Sequence, residues 1–308
     1  MFAKRTDLAL EAHEIWRESA EKISRLSGVK SSKRRVEGYP VTTVEILDGF
    51  GADALGKPVG HYITIDLSGF RDRKPGFFDR AARAVGKELK NMIPETGGAL
   101  VIGLGNDAMT PDAIGPLALK HILITRHLIS NMPGQFAGFR QTAVFQTGVS
   151  GVTGIESAEV VKGLIERIQP AVVIAIDALA SRRRARLCNT IQIADTGILP
   201  GSGVGNHRAA LDQASMGVPV IAVGVPTVID AATLAADLLE ESGYLVNQNN
   251  QANQTDIISD DLREHHDGLM VTPKEIDAQV RDLSKVIGYG INWCLQDLEI
   301  PDMAELLS

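Results

Sequence analysis

Ala99-Leu100-Val101-Ile102-Gly103 is an apolar run without a break, and it passes at once into the turn-rich Leu104-Gly105-Asn106-Asp107. A strand with one wet face alternates polar and apolar residues, so an unbroken run marks a strand covered on both sides. The pattern returns in Val172-Val173-Ile174-Ala175-Ile176 and in Val218-Pro219-Val220-Ile221-Ala222-Val223. Stretches with apolar residues at helical spacing lie around these runs, and they predict helices over Asp112 to Leu128, Gly154 to Ile168 and Pro226 to Glu241. Buried strands alternating with amphipathic helices predict a three-layer α/β/α fold around a mostly parallel sheet.

Outward from this core the pattern changes. Leu8, Ala12, Ile15, Ala20, Ile23 and Leu26 are spaced for one face of a helix, which Gly28 would end. Val41 to Leu47 and Tyr62 to Leu67 alternate, and the turns between them predict paired strands at a sheet edge, a small N-terminal β-containing appendage. The chain therefore divides into an N-terminal helix and edge strands over 8–96 and a main α/β core over 97–308, expected to form one domain together. The polar Val246 to Gln254 reads as a mobile loop, and Pro273 to Gln296 as the closing helix.

Composition bounds the function. With 308 residues, 44% hydrophobic and 22% charged, the chain can bury a full core. Its two cysteines, Cys188 and Cys294, lack zinc or disulfide spacing, which fits a reducing compartment and no structural metal. No apolar segment has the length of a signal peptide or a membrane span, so the reading is a soluble, cytoplasmic protein with no membrane partner. A net charge of -7 argues against broad nucleic-acid binding. The short basic runs Lys30 to Arg35 and Arg182-Arg183-Arg184 read as solvated charged faces.

In an open parallel sheet, ligands bind beyond the carboxyl ends of the strands. The residues there are Gly103 to Asp112, Asp177 to Arg182, and Gly224-Val225-Pro226-Thr227. Thr110 and Pro111 suit the start of a helix, and an acid following them would be kept ionised by the positive helix end, as a general base needs to be. That acid is Asp112. Asp177 follows five apolar residues, where burial penalises charge; it is either satisfied structurally by Arg182 or a backbone amide, or held protonated as an acid. One base to activate water and one acid to assist the carbonyl and leaving amine would be peptide hydrolysis by carboxylates. Asn106 and Arg182 are further candidates to contact substrate. In Pro200 to Arg208, Ser202 and Gly203 could bring backbone amides to an oxyanion, or the glycines could serve only a flexible loop. The histidines show no metal-ligand spacing, and no strand leads into a serine nucleophile elbow.

In these same segments the sequence resembles the spore germination protease family. The resemblance rests on Arg5-Thr6-Asp7-Leu8-Ala9-Leu10-Glu11, Gly103-Leu104-Gly105-Asn106, Thr110 to Pro116, Leu123 to Leu128 and Gly151 to Glu156. It continues through Ala175-Ile176-Asp177-Ala178-Leu179-Ala180, Asp195-Thr196-Gly197-Ile198, Pro200 to Asn206, Gly224 to Asp230 and Leu269 to Glu275. It implies a fold like that of hydrogenase maturation endopeptidases, a homotetramer, an atypical aspartic mechanism on Asp112 and Asp177 without cofactor or metal, and degradation of small acid-soluble spore proteins in the forespore or spore core. It also implies a self-processing zymogen, with residues 1–7 as propeptide and the cut between Asp7 and Leu8. The segment between Asp230 and Leu269 is shorter than in bacillus-type members.

Other readings compete. Gly103-x-Gly105-x-x-Ala108 between a strand and a helix fits part of a dinucleotide fingerprint, although no acid ends the next strand to hold a ribose. A metal-dependent maturation peptidase of the same fold would need a His or Glu beside the aspartates. A binding protein without catalytic activity is the third alternative.

Overall fold

The computed structural model describes residues 6–19, 26–201, 209–242, 269–296 and 298–306. Within them β4 (Ala99–Leu104), β5 (Thr142–Gly148), β6 (Val172–Ala180) and β8 (Val220–Asp230) run parallel, in the spatial order β8-β6-β4-β5. Every residue of β4 is buried, as its unbroken apolar sequence requires. Odd and even residues of these strands feed two different cores. Val101, Ile174 and Ile176 pack with α3 (Phe77–Lys90), α4 (Ile114–Leu119) and α11 (Ile276–Gln296). Leu100, Ile102 and Val173 pack on the other face against Val161 and Ile165 of α8 (Ser157–Ile168). The three layers expected from the sequence are therefore present.

The N-terminal strands prolong this sheet. Beyond β8 it continues antiparallel through β7 (Thr190–Ala194), β3 (Gly60–Asp66), β2 (Tyr39–Ile46) and β1 (Val29–Val36). The expected pairing of the two alternating segments holds, with Val41 opposite Ile65. Helices α1 (Ala9–Ser19) and α2 (Gly49–Leu55) cover this wing through Ala9, Leu55, Val44 and Tyr62. The run Lys30 to Arg35 lies within strand β1, solvated as expected but also paired to β2. Glu37 and Gly38 both have positive φ, 52° and 85°, which makes the tight two-residue turn that such hairpins favour.

Three expected helices are revised. Asp112 to Leu128 divides into a 3-10 turn over Thr110–Asp112, α4 and α5 (Arg126–Asn131). Asn292 of α11 captures the backbone between α4 and α5, accepting from the Leu123 amide at 2.9 Å and donating to the His121 carbonyl at 2.8 Å. Strand β8 runs on through Pro226, so its helix α10 (Ala231–Glu241) starts later, capped by Asp230 on the Thr233 amide at 2.9 Å. Pro226 is tolerated because the ladder to β6 shifts register beside it. The short α7 (Ser150–Thr153) precedes α8, and Gly154 separates them. Among the described residues there are also α6 (Pro133–Phe136), α9 (Gln213–Met216), α12 (Ile300–Leu306), 3-10 turns over Ser68–Asp72 and Arg184–Arg186, and β9 (Met270–Val271), which pairs with β8. Among the described residues no helix is long and apolar enough to cross a membrane. The expected loop over Val246 to Gln254 lies outside them.

Candidate active site

The chain leaves β4 through Gly105, whose φ of 103° is open to glycine and strained for other residues. The turn folds back so tightly that a Cβ on Gly105 would stand 2.1 Å from the Asp112 carbonyl oxygen. This return brings the Asp112 carboxylate to the Asn106 amide, which donates to Oδ2 at 2.8 Å. Asn106 in turn accepts from the Ala108 amide at 3.0 Å. Thr110 does not cap a helix, since the 3-10 turn has no side-chain cap. Its own loop thus holds Asp112, through the Asn106 amide. Gly115, one residue into α4, lets that helix sit directly on the strand ends: a Cβ there would meet the carbonyls of Leu104 and Ile176 at 2.4 and 2.6 Å.

Asp177 lies within β6, opposite Gly224 of β8. On its other side β4 pairs only as far as Gly103 with Ile176, so Asp177 stands where the neighbouring strand has turned away. It is 6% exposed, and its Oδ1 accepts from the Ala178 amide at 2.9 Å. Thr227, fully buried, donates its hydroxyl to the Pro111 carbonyl at 2.7 Å and so ties β8 to the turn that carries Asp112. Thr227 ends the strand-end segment Gly224-Val225-Pro226-Thr227, but its partner Pro111 lies 116 residues away, so local sequence does not mark this role.

Both aspartates line one cavity of about 420 Å³ at the carboxyl ends of β4 and β6. Its walls are largely apolar, from Leu104, Met109, Val149, Leu179 and Met270 among others. Charge in such a cavity is weakly screened, so a carboxylate there acts on a bound peptide more strongly than it would in water. Gly105, read as part of a dinucleotide fingerprint, faces the chain's own Asp112 backbone. Among the described residues no three His, Cys, Asp or Glu side chains gather as a metal site.

The other candidates divide. Arg182 is buried but turned toward α10, where its guanidinium meets both oxygens of Glu240 at 3.2 Å. Arg183 pairs with Asp237 at 2.8 Å, and Arg184 with Glu241 at 2.5 Å. The basic run read as a solvated face thus closes onto an acidic helix. Asn106 braces Asp112 through its backbone amide. Ser202 and Gly203 fall outside the described residues.

The N-terminal segment reaches this cavity as well. Asp7 lines it, and its backbone pairs with β6: the Asp7 amide donates to the Ala180 carbonyl at 3.1 Å, and the Ala180 amide donates to Asp7 Oδ2 at 2.8 Å. Leu8 beside it is fully buried. Behind Leu8 the buried carboxylate of Glu11 accepts from the Arg182 and Arg183 amides at 2.6 and 3.0 Å, from the Ser181 hydroxyl at 3.0 Å and from Arg186 at 2.9 Å. The Thr6 hydroxyl also donates to Glu11, but the other partners lie more than 160 residues away, so local sequence does not show that this carboxylate is buried.

Comparison with known proteins bears on this site. A family model described as germination protease matches residues 9–247. Similar proteins include the germination proteases of Caldanaerobacter subterraneus subsp. tengcongensis, 44% identical over 98% of both chains, and Clostridium perfringens, 42% identical over 100% of both. That of Bacillus cereus is 36% identical over 96% of this chain and 94% of its own. Among solved structures, a NiFe hydrogenase maturation protease from Thermococcus kodakarensis aligns with 67% of this chain and 99% of its own, at 16% identity and a TM-score of 0.35.

Proposed function

This chain belongs to the germination protease family and is a peptide-bond hydrolase, and from that premise we propose that it cuts small acid-soluble spore proteins with Asp112 and Asp177, after processing itself between Asp7 and Leu8. The observation that carries this reading is the meeting of Asp112, Asp177 and Asp7 in one cavity.

Asp112, steadied by the Asn106 amide, takes a proton from water as the water oxygen attacks the carbonyl carbon of the bond to be cut. Charge collects on the carbonyl oxygen, and Asp177 gives its proton to the departing nitrogen. The carbon–nitrogen bond then breaks, the carbonyl reforms as a carboxylic acid, and passage of a proton from Asp112 to Asp177 restores the pair. Neither carboxyl group forms a covalent bond to substrate. The enzyme works in this reading as a homotetramer in the spore core, and sedimentation at micromolar concentration tests the assembly.

Asp7 followed by Leu8 supplies an acid ahead of an apolar residue, already seated beside the two aspartates. Intact-mass measurement and N-terminal sequencing of the purified chain, held at mildly acidic pH and then partly dried, should show loss of Met1 to Asp7 and a new terminus at Leu8. Incubation with a small acid-soluble spore protein should then yield fragments that end in an acidic residue. Wild-type protein that cleaves the substrate while keeping residues 1–7, or equal processing in Asp112→Asn, would overturn the zymogen reading.

A further inference from the structure

The Asp7 carbonyl, the one belonging to the bond before Leu8, is itself held. Lys57 Nζ donates to its oxygen at 3.2 Å, and so does Gln192 Nε2, also at 3.2 Å. Gln192 spans the bond, because its Oε1 accepts from the Ala9 amide at 2.9 Å. The three grips on Asp7 come from separate parts of the sheet and its cover: Lys57 follows α2, Ala180 ends β6, and Gln192 lies in β7, with its side chain 8% exposed.

We propose that Lys57 and Gln192 are the donors that hold the carbonyl oxygen of the bond being cut, and that with the Ala180 backbone they form the subsite for the acidic residue before it, occupied by Asp7 in the precursor. This rests on the reading of the cavity as a peptidase site and adds the partners that the aspartate pair requires. Two donors on one oxygen meet the need of an acyl-transfer step, in which that oxygen gains negative charge. The division of labour follows from chemistry. The Ala180 backbone amide donates to the Asp7 side-chain oxygen and would donate to a carboxamide oxygen in the same place, though more weakly, so it reads the length of the side chain more than its charge. The charge is read by Lys57, whose ammonium is drawn below its ordinary pKa by burial and supported by the nearby Asp7 and Glu11 carboxylates. Gln192, neutral and bonded on both sides of the bond, sets the backbone register.

The full-length chain serves for the test. Its processing between Asp7 and Leu8 is timed by intact mass, and the processed enzyme is then given two peptides, Thr-Asp-Leu-Ala and Thr-Asn-Leu-Ala embedded in the same flanks. Lys57→Met keeps the apolar stem and removes the charge; it should slow processing and kcat on the acidic peptide by about 100-fold and bring the two peptides to near-equal rates. Lys57→Arg should recover most of both losses. Gln192→Glu, which keeps an acceptor for Ala9, should slow both peptides by about 100-fold and leave their ratio unchanged. A thermal midpoint within a few degrees of wild type in each variant separates these losses from unfolding. Rates within about threefold of wild type in Lys57→Met and Gln192→Glu, or equal losses on the acidic and amide peptides in Lys57→Met, overturn the assignment while leaving the aspartate pair standing. A wild-type chain that cuts neither its own bond nor the acidic peptide overturns the peptidase reading of the cavity, and this subsite with it.

Discussion

Replacing Gly105 by alanine tests whether Asp112 depends on the tight return of its loop. The new Cβ would lie 2.1 Å from the Asp112 carbonyl oxygen and 3.0 Å from its Oδ1, and the nearer of these is backbone that cannot swing aside. Restoring ordinary contact needs a shift on the order of 1 Å. A side chain at φ 103° adds strain of about 1–3 kcal/mol. The same shift breaks the 2.8 Å bond from the Asn106 amide that holds the carboxylate. Misplacement of a reacting group by ~1 Å costs about 100-fold in rate, and the strain lowers the thermal midpoint of a chain of this length by roughly 1.5–5 °C. Peptide cleavage followed by mass spectrometry gives the first number, and circular dichroism on heating gives the second. A Gly105→Ala protein with kcat within about threefold of wild type and an unchanged midpoint would refute the idea that this turn positions the site.

Asp112→Asn and Asp177→Asn should each abolish cleavage while the protein stays folded, since an amide neither takes a proton from water nor supplies one; near-normal turnover in either removes that residue from the mechanism. Glu11→Ala leaves the Arg182 and Arg183 amides unmatched and Arg186 paired with Glu14 alone, and chemical denaturation should register a loss of about 3–5 kcal/mol. A loss below about 1 kcal/mol would show that water replaces the carboxylate. Burial pushes the Cys294 thiol up to about 12, so the folded protein should resist alkylation there at pH 8 and react only on unfolding, as peptide mass mapping would show. The sign for stability follows: the thiol is neutral in both states below about pH 9, and above it the unfolded chain ionises first, so this group destabilises the fold as pH rises toward 12.

The buried strands were legible because the solvent they avoid is the same on both faces, and Val172 to Ile176 shows this without help from any other residue. The helix α3 has its signal in Ala81, Ala82, Val85 and Leu89, but three of its buried residues are alanines, which mark an apolar face weakly. Strand β1 was obscured by its charge, since Lys30, Lys33, Arg34 and Arg35 satisfy an edge position as well as they would a loop. The break after α4 could not be read locally, because it is made by Asn292, about 170 residues further on. Strand-end reasoning picks out Asp112 and Asp177, which line one cavity, while the hold on Asp7 depends on Ala180 and Gln192, whose closeness only the assembled sheet creates.

Glu11 sets a limit on how the N-terminus can behave. Its carboxylate is a rivet: lifting α1 from the sheet would leave a buried charge and two buried amides unmatched, and at about 4 kcal/mol that state would be visited by roughly one molecule in a thousand. Thermal breathing is therefore a poor way to vacate the cavity. The peptide bond after Asp7 lies on the open side of the rivet, three residues upstream of it. Severing that bond would let the short leader diffuse away, taking the Thr6 hydroxyl with it but leaving the bonds from Ser181, Arg182, Arg183 and Arg186 to Glu11 in place. The change would be irreversible and would require no rearrangement of the helix, a ratchet in place of a hinge.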